Sequence, residues 1–214
     1  MGVSKNAMKI HWQKTVGGVT GYSRLGRDYW RSVPNSVANP RTDAQQLVRA
    51  KMTKISQFLH QIDGVVNIGY AKYMNGQGMT NYNKAFKQVY HNALSGDTIE
   101  GLTIDPSKVL VSRGALTSVF VISATVAAAT HTVSVNWSNN SGAGDAKATD
   151  KMAVVVYNSD KGITTFNANA AARSIESASL VYPDSWTGDT IYVYAFLQGD
   201  EANADSHYLG FFTA

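Results

Sequence analysis

The sequence predicts an α+β protein: a β-arm or hairpin at the N-terminus, a two-helix hairpin, and then an antiparallel β-sandwich. Three observations predict it. Aromatic and apolar residues alternate weakly over residues 8–33, around a Gly17-Gly18 pair. Two stretches between residues 42 and 94 repeat apolar side chains at spacings of four and three, the period of a helix face. After Asp105 the period changes to two, and short apolar runs alternate with turn residues to the end of the chain.

Each element follows from local chemistry. Gly17-Gly18 suits a two-residue hairpin turn, because glycine adopts positive φ at no steric cost. Gly21 and Gly26 mark bends or close backbone approach. Pro34 and Pro40 bracket an extended corner, since proline pushes the preceding residue out of the helical region. The first helix is expected to start at Thr42, an N-cap whose capping-box partner is Gln45. Its stripe is Val48, Met52, Ile55, Leu59 and Ile62, widened by Leu47 and Phe58. Asp63-Gly64 is expected to end it, with Gly64 as a left-handed cap. A second helix is expected from about Thr80 to Leu94, with Tyr82, Phe86, Val89 and Ala93 on one face and Ser95-Gly96 closing it. Strand candidates follow at 108–113, 118–125, 132–137, 152–157, 163–166, 178–182, 191–197 and 208–212. So many short strands point to an antiparallel sandwich. Trp137 ends the alternation Val133, Val135, Trp137 and is expected in its core. Ile191, Val193 and Ala195 oppose Tyr192 and Tyr194, so one set faces inward. The division expected is 1–104, an assembly region, and 105–214, the sandwich.

The 214 residues suit one large domain or two small ones. With no cysteine, disulfides, thiolate catalysis and cysteine-ligated metals are excluded. MGVSKNAMKIHWQ has no apolar core of signal-peptide length. The most apolar run, 119–130, falls short of the roughly 20 residues of a helical span. A protein with no signal peptide and no membrane partner is expected. The net charge of +4 divides unevenly. Residues 1–91 hold 13 Lys/Arg against three acids, +10, and residues 92–214 hold six against 12, −6. A basic half can meet nucleic acid or the acidic half of another copy. Packing is favoured, because no nucleic-acid motif accompanies the charge.

No catalytic, cofactor-binding or metal-binding residue is expected. The five histidines are scattered, without H-E-x-x-H spacing, and there is no G-x-S-x-G elbow or P-loop lysine. Asp145 and Asp150, and Asp200, Glu201 and Asp205, read as solvated turns before calcium loops. The binding candidates lie elsewhere. Arg24, Arg27 and Arg31 interleave with Tyr22, Tyr29 and Trp30, and Arg41 follows. They read as a nucleic-acid stacking surface, as a sheet with an aromatic inner and a basic outer face, or as an arm on a neighbouring subunit. Met52 and Phe58 on the first helix are core or interface. Trp186, near Tyr182 in the 183–188 turn, is a candidate platform for a sugar ring, or a cover for the sandwich end.

The segment Asn39-Pro40-Arg41-Thr42-Asp43-Ala44-Gln45-Gln46, followed by Arg49, resembles a motif, N-P-R-T-x-A-Q-x-x-x-R, of phage and prophage structural proteins. Gly26-Arg27-Asp28-Tyr29, Arg31-Ser32-Val33-Pro34, Val109-Leu110-Val111-Ser112-Arg113-Gly114, 145–151 and Val155-Val156-Tyr157-Asn158 extend the likeness over nearly the whole chain. It is similar to an uncharacterised domain-of-unknown-function family of Gram-negative gut and environmental bacteria and their phages. The C-terminal half resembles an immunoglobulin or fibronectin type III module. The family resemblance itself implies little about activity. The phage-like motif, with the missing chemistry, the charge division and the aromatic–basic start, leads to the expectation of a virion structural protein, capsid-, neck- or tail-associated, located in the virion or in the host cytoplasm during assembly. Its partners would be copies of itself and other virion proteins. The alternatives are a glycan- or protein-binding module using the sandwich loops, and nucleic-acid binding by the basic half.

Overall fold

A computed structural model describes residues 2–3, 15–24, 27–33, 36, 41–73 and 78–214. The chain divides into two compact units, Met1–Thr42 and Asp43–Ala214. The first contains β1 (Gly2–Val3), β2 (Thr15–Val16), β3 (Val19–Arg24) and β4 (Arg27–Ser32), ordered β1-β4-β3-β2 and antiparallel throughout. Gly17 and Gly18 both have positive φ, 55° and 79°, as the expected hairpin turn requires. The register sets Tyr22 opposite Tyr29, Thr20 opposite Arg31 and Gly21 opposite Trp30. Opposed residues share a face. Tyr22, Tyr29, Arg27 and Arg31 therefore lie on one side and Trp30 on the other. The expected split into an aromatic face and a basic face is corrected: parity mixes the two. Pro34, Gly26 and Pro40 lie outside the described residues.

In the second unit, α1 (Asp43–Gln61) buries Ile55, Phe58 and Leu59, the C-terminal half of the predicted stripe. Its N-terminal half, Val48 and Met52, stays 47% and 43% exposed. Asp63-Gly64 does not end the helical region. The break falls at Ile62 (φ −120°), and α2 (Asp63–Gly69) begins at once. Asp63 sits in the first turn of α2, where a carboxylate favours a helix N-terminus, and it accepts from Asn67 Nδ2 at 3.0 Å. The glycine that matters here is Gly69, at the end of α2. A β-carbon there would lie 2.2 Å from the Val111 carbonyl oxygen, so only glycine permits the close approach. α3 (Asn81–Asn92) is capped by Thr80, whose side chain accepts from the Asn83 amide at 3.2 Å. It ends earlier than expected. Leu94–Ser95 forms β5, paired with β6 (Thr103–Ile104).

The sandwich comprises β7 (Ile122–Ala127), β8 (Thr132–Trp137), β9 (Lys151–Asn158), β10 (Ile163–Ala172), β11 (Ser177–Val181), β12 (Thr190–Gln198) and β13 (His207–Thr213). Its sheets are β11-β8-β7 and β10-β9-β12-β13. Consecutive strands switch sheets at β8–β9, β10–β11 and β11–β12, an immunoglobulin-like arrangement of three strands against four. Val133, Val135 and Trp137 meet Val154, Val156, Ile191, Val193 and Leu197 between the sheets. The opposite face of the four-stranded sheet is also buried. Val155, Tyr157, Tyr194 and Phe196 share a second core with Ile55, Phe58, Leu59, Val66 and Val89 of the helices. Residues 104 and 105, the expected boundary between domains, thus lie inside one compact unit.

The strand expected at 108–113 is not one. Val109 and Val111 are buried as their alternation implies, but the backbone finds side chains instead of a neighbouring strand. Gln88 donates to the Lys108 carbonyl (2.9 Å) and accepts from the Leu110 amide (3.2 Å). The Val111 amide donates to Ser206 Oγ (3.0 Å), and Ser112 Oγ to the Gly69 and Ala204 carbonyls. Tyr194 and Tyr70 hydroxyls donate to the Pro106 and Leu110 carbonyls at 2.9 and 3.0 Å. Burial pushes both phenol pKa values upward.

Candidate functional site

On the first unit, the β3–β4 register brings together part of the predicted aromatic–basic cluster. The Tyr22 and Tyr29 rings stack at 5.3 Å between centroids, 16° apart. Arg27 and Arg31 are exposed, while Tyr29 and Trp30 are half-buried. The Arg24 side chain lies outside the described residues. Arg41 is exposed on the chain leading into α1. The result is a narrow strip of stacked tyrosines flanked by guanidinium groups.

The helix candidates separate. Met52 faces outward with Val48. Phe58 points inward, edge-on to Tyr157 at 5.6 Å and 83°. Trp186 is corrected as an exposed platform. It is 1% exposed and stacks on Tyr182 at 6.1 Å and 17°, in the short 3₁₀ turn Asp184–Trp186. An aromatic ring flanked by Pro183 and a tyrosine has more apolar surface to bury than to offer water, so it closes the end of the sandwich.

The acidic loops have structural partners. Asp145 accepts from the Thr117 amide at 2.8 Å, and this bonding holds its carboxyl below the usual carboxylate range. Asp200 pairs with Lys147 at 3.0 Å, and Asp205 accepts from the Gly114 amide. Asp150, 3% exposed, receives Arg173 Nε and Nη2 at 3.1 and 2.9 Å. Arg173 is wholly buried and donates further to Asn140 and to the Thr117 carbonyl, while its own carbonyl accepts from Trp137 Nε1. Sequence reading missed this cluster: Asp150 stood out only as a loop carboxylate, Arg173 not at all, and the residues converge only in the fold. No group of three or more His, Asp or Glu suited to a metal occurs among the described residues.

Two further features were not anticipated. Ser118 Oγ and His207 Nε2 share a 2.6 Å hydrogen bond, and burial lowers the imidazole pKa. Among the described residues no carboxylate lies within ion-pair distance of that ring, so the base lacks the orienting third group of an activated nucleophile. A cavity of 350 Å³ opens beside α3, lined by Tyr73, Lys84, Lys87, Gln88, His91 and Arg113 among others. The cations of this wall were visible in the sequence only as scattered basic residues, because Arg113 lies 26 residues or more from Lys84 and Lys87 along the chain.

No helix among the described residues is long and apolar enough to cross a membrane, a statement that does not bear on β-barrels. No curated protein matches the chain. A family model spans residues 10–210, both compact units included. The chain therefore belongs to the family of unknown function DUF6266.

Proposed function

We propose that this protein is a structural subunit of a phage virion, capsid-, neck- or tail-associated, working by homo-oligomeric assembly through its N-terminal region. One observation supports the reading above others: the described residues of the N-terminal unit, 42 residues in all, form a four-stranded sheet. Units below about 40 residues usually need disulfides, metals or association to be stable, and the chain has no cysteine. A sheet that small needs a second surface, and a neighbouring subunit provides one. Residues 1–42 carry seven Lys/Arg against one acid, +6, and residues 92–214 carry −6, so copies complement each other in charge. Val48 and Met52 add exposed apolar area on α1. Such an interface should bury at least about 1,000 Å² in total.

Light scattering on the purified chain tests it. A defined oligomer is expected, with Val48→Lys plus Met52→Lys reducing its mass while circular dichroism still shows a folded chain. A strict monomer at tens of micromolar overturns the reading. Capsid, portal or tail genes beside this one would add independent support.

The stacked Tyr22–Tyr29 pair with Arg27 and Arg31 on the same face favours a second reading, single-stranded nucleic-acid binding. Filter binding should then weaken steeply with salt. No retention at low salt removes it.

A further inference from the structure

The 350 Å³ cavity beside α3 has an electrostatic peculiarity. Lys84, Lys87 and His91 line it from one face of α3, and Arg113 lines it from the segment after Val111. Among the described residues, no aspartate or glutamate lines it. The described cations within 4 Å of a carboxylate include Lys108, His131, Lys147, Lys161 and Arg173, but not Lys84, Lys87 or Arg113. Three full positive charges thus converge without an ion-paired carboxylate, in a concave wall that focuses their field.

Two of the three cations are also held in place. Lys84 Nζ donates to the Tyr73 carbonyl at 2.6 Å and lies 5.8 Å from the Tyr73 ring centre. The Arg113 guanidinium stands 5.2 Å from the same ring, and the Arg113 amide is anchored to the Gly69 carbonyl at 3.3 Å. Tyr73 is itself braced edge-on against buried Tyr70. Gln88, almost wholly buried, fixes the backbone behind the cavity through Lys108 and Leu110. A surface that merely sheds its charges into water would leave these side chains loose. Here cation–π contacts and a carbonyl hold Lys84 and Arg113 beside one cavity, and Lys87 adds a third charge from the next turn of α3.

We propose that this cavity is a phosphate-binding site, taking inorganic phosphate or a phosphate group carried by a larger molecule. Arg113 offers parallel N–H donors, and Lys84 and Lys87 act as point charges from α3. Three cations from two separate elements match the double charge and the several acceptor oxygens of a phosphate better than the single charge of a carboxylate. The site shares no residue with the assembly surfaces proposed above and stands or falls without them.

Titrating the full chain with inorganic phosphate at constant ionic strength, followed by amide NMR, tests it. Saturable shifts are expected at residues 84–91 and at Arg113, with a melting temperature that rises with phosphate. Arg113→Gln should weaken binding about tenfold or more, the worth of one charge-assisted hydrogen bond. Lys87→Gln, at an exposed position, keeps the test alive should Arg113→Gln fail to fold, and should weaken binding severalfold. Tighter binding of glycerol 3-phosphate than of inorganic phosphate assigns the group to a larger molecule; the reverse order assigns it to the free ion. No saturable shift at tens of millimolar phosphate, or unchanged affinity in Lys87→Gln and Arg113→Gln, overturns the site.

Discussion

Arg173 shows how a single side chain ties the sandwich together. Its guanidinium meets Asp150, Asn140 and the Thr117 carbonyl, and its backbone holds Trp137. Removing one partner of a buried pair strands the other charge, which costs roughly 3–5 kcal/mol. Arg173→Ala is expected to lose about that much in urea unfolding, and a loss under ~1 kcal/mol would mean water already screens the cluster. His207 has the opposite character. Burial favours its neutral form, so the folded-state pKa lies below the ordinary 6.5. The unfolded chain then binds a proton first as pH falls. Stability from this group is present above about 6.5 and declines toward and past the lowered folded value. Unfolding experiments from about pH 7.5 down to about pH 5, the histidine range, should show the decline. His207→Asn should flatten it, and an equal slope in the variant would assign the effect elsewhere.

Among the elements, those written by short-range chemistry were legible in the sequence. Thr80 caps α3, Gly17-Gly18 turns a hairpin, and β8 runs over the residues its alternation marks. What was not legible depends on distant neighbours. The apolar run of β9 cannot announce that one face meets a sheet and the other a set of helices. Residues 108–113 alternate like a strand, yet their hydrogen bonds go to Gln88, Ser206 and Gly69, between 20 and 95 residues away. The helices are the outer wall of the four-stranded sheet, and this sets an expectation for fragments. Residues 43–214 should melt cooperatively, within a few degrees of the full chain. Residues 105–214 should aggregate, because Val155, Tyr157, Tyr194 and Phe196 would face water. A soluble, cooperatively folded 105–214 fragment would show that the helices are accessories to the sheet.

For the molecule as a whole, the charge division read from the sequence survives as a physical property, but its boundary moves. The most basic segment, residues 1–42, is also a separate compact unit. The remaining cations of the N-terminal half, Lys72 apart, belong to the helices, where Lys84 and Lys87 join Arg113 from beyond position 91. A tally along the chain had placed those groups on opposite sides of a divide. The candidate residues divide in the same way. Arg27, Tyr29 and Arg31 are united by strand register, whereas Phe58 and Trp186 went to the interior, where ring area is worth most.

β9 leaves one consequence for the dynamics. Strands β10 and β12 flank it, and both its faces are covered. No local breathing motion can bare its peptide groups without dismantling the inter-sheet layer and the helical layer together. Its amide protons should accordingly trade with deuterium only through global unfolding, which makes Lys151–Asn158 the internal clock for the lifetime of the native state.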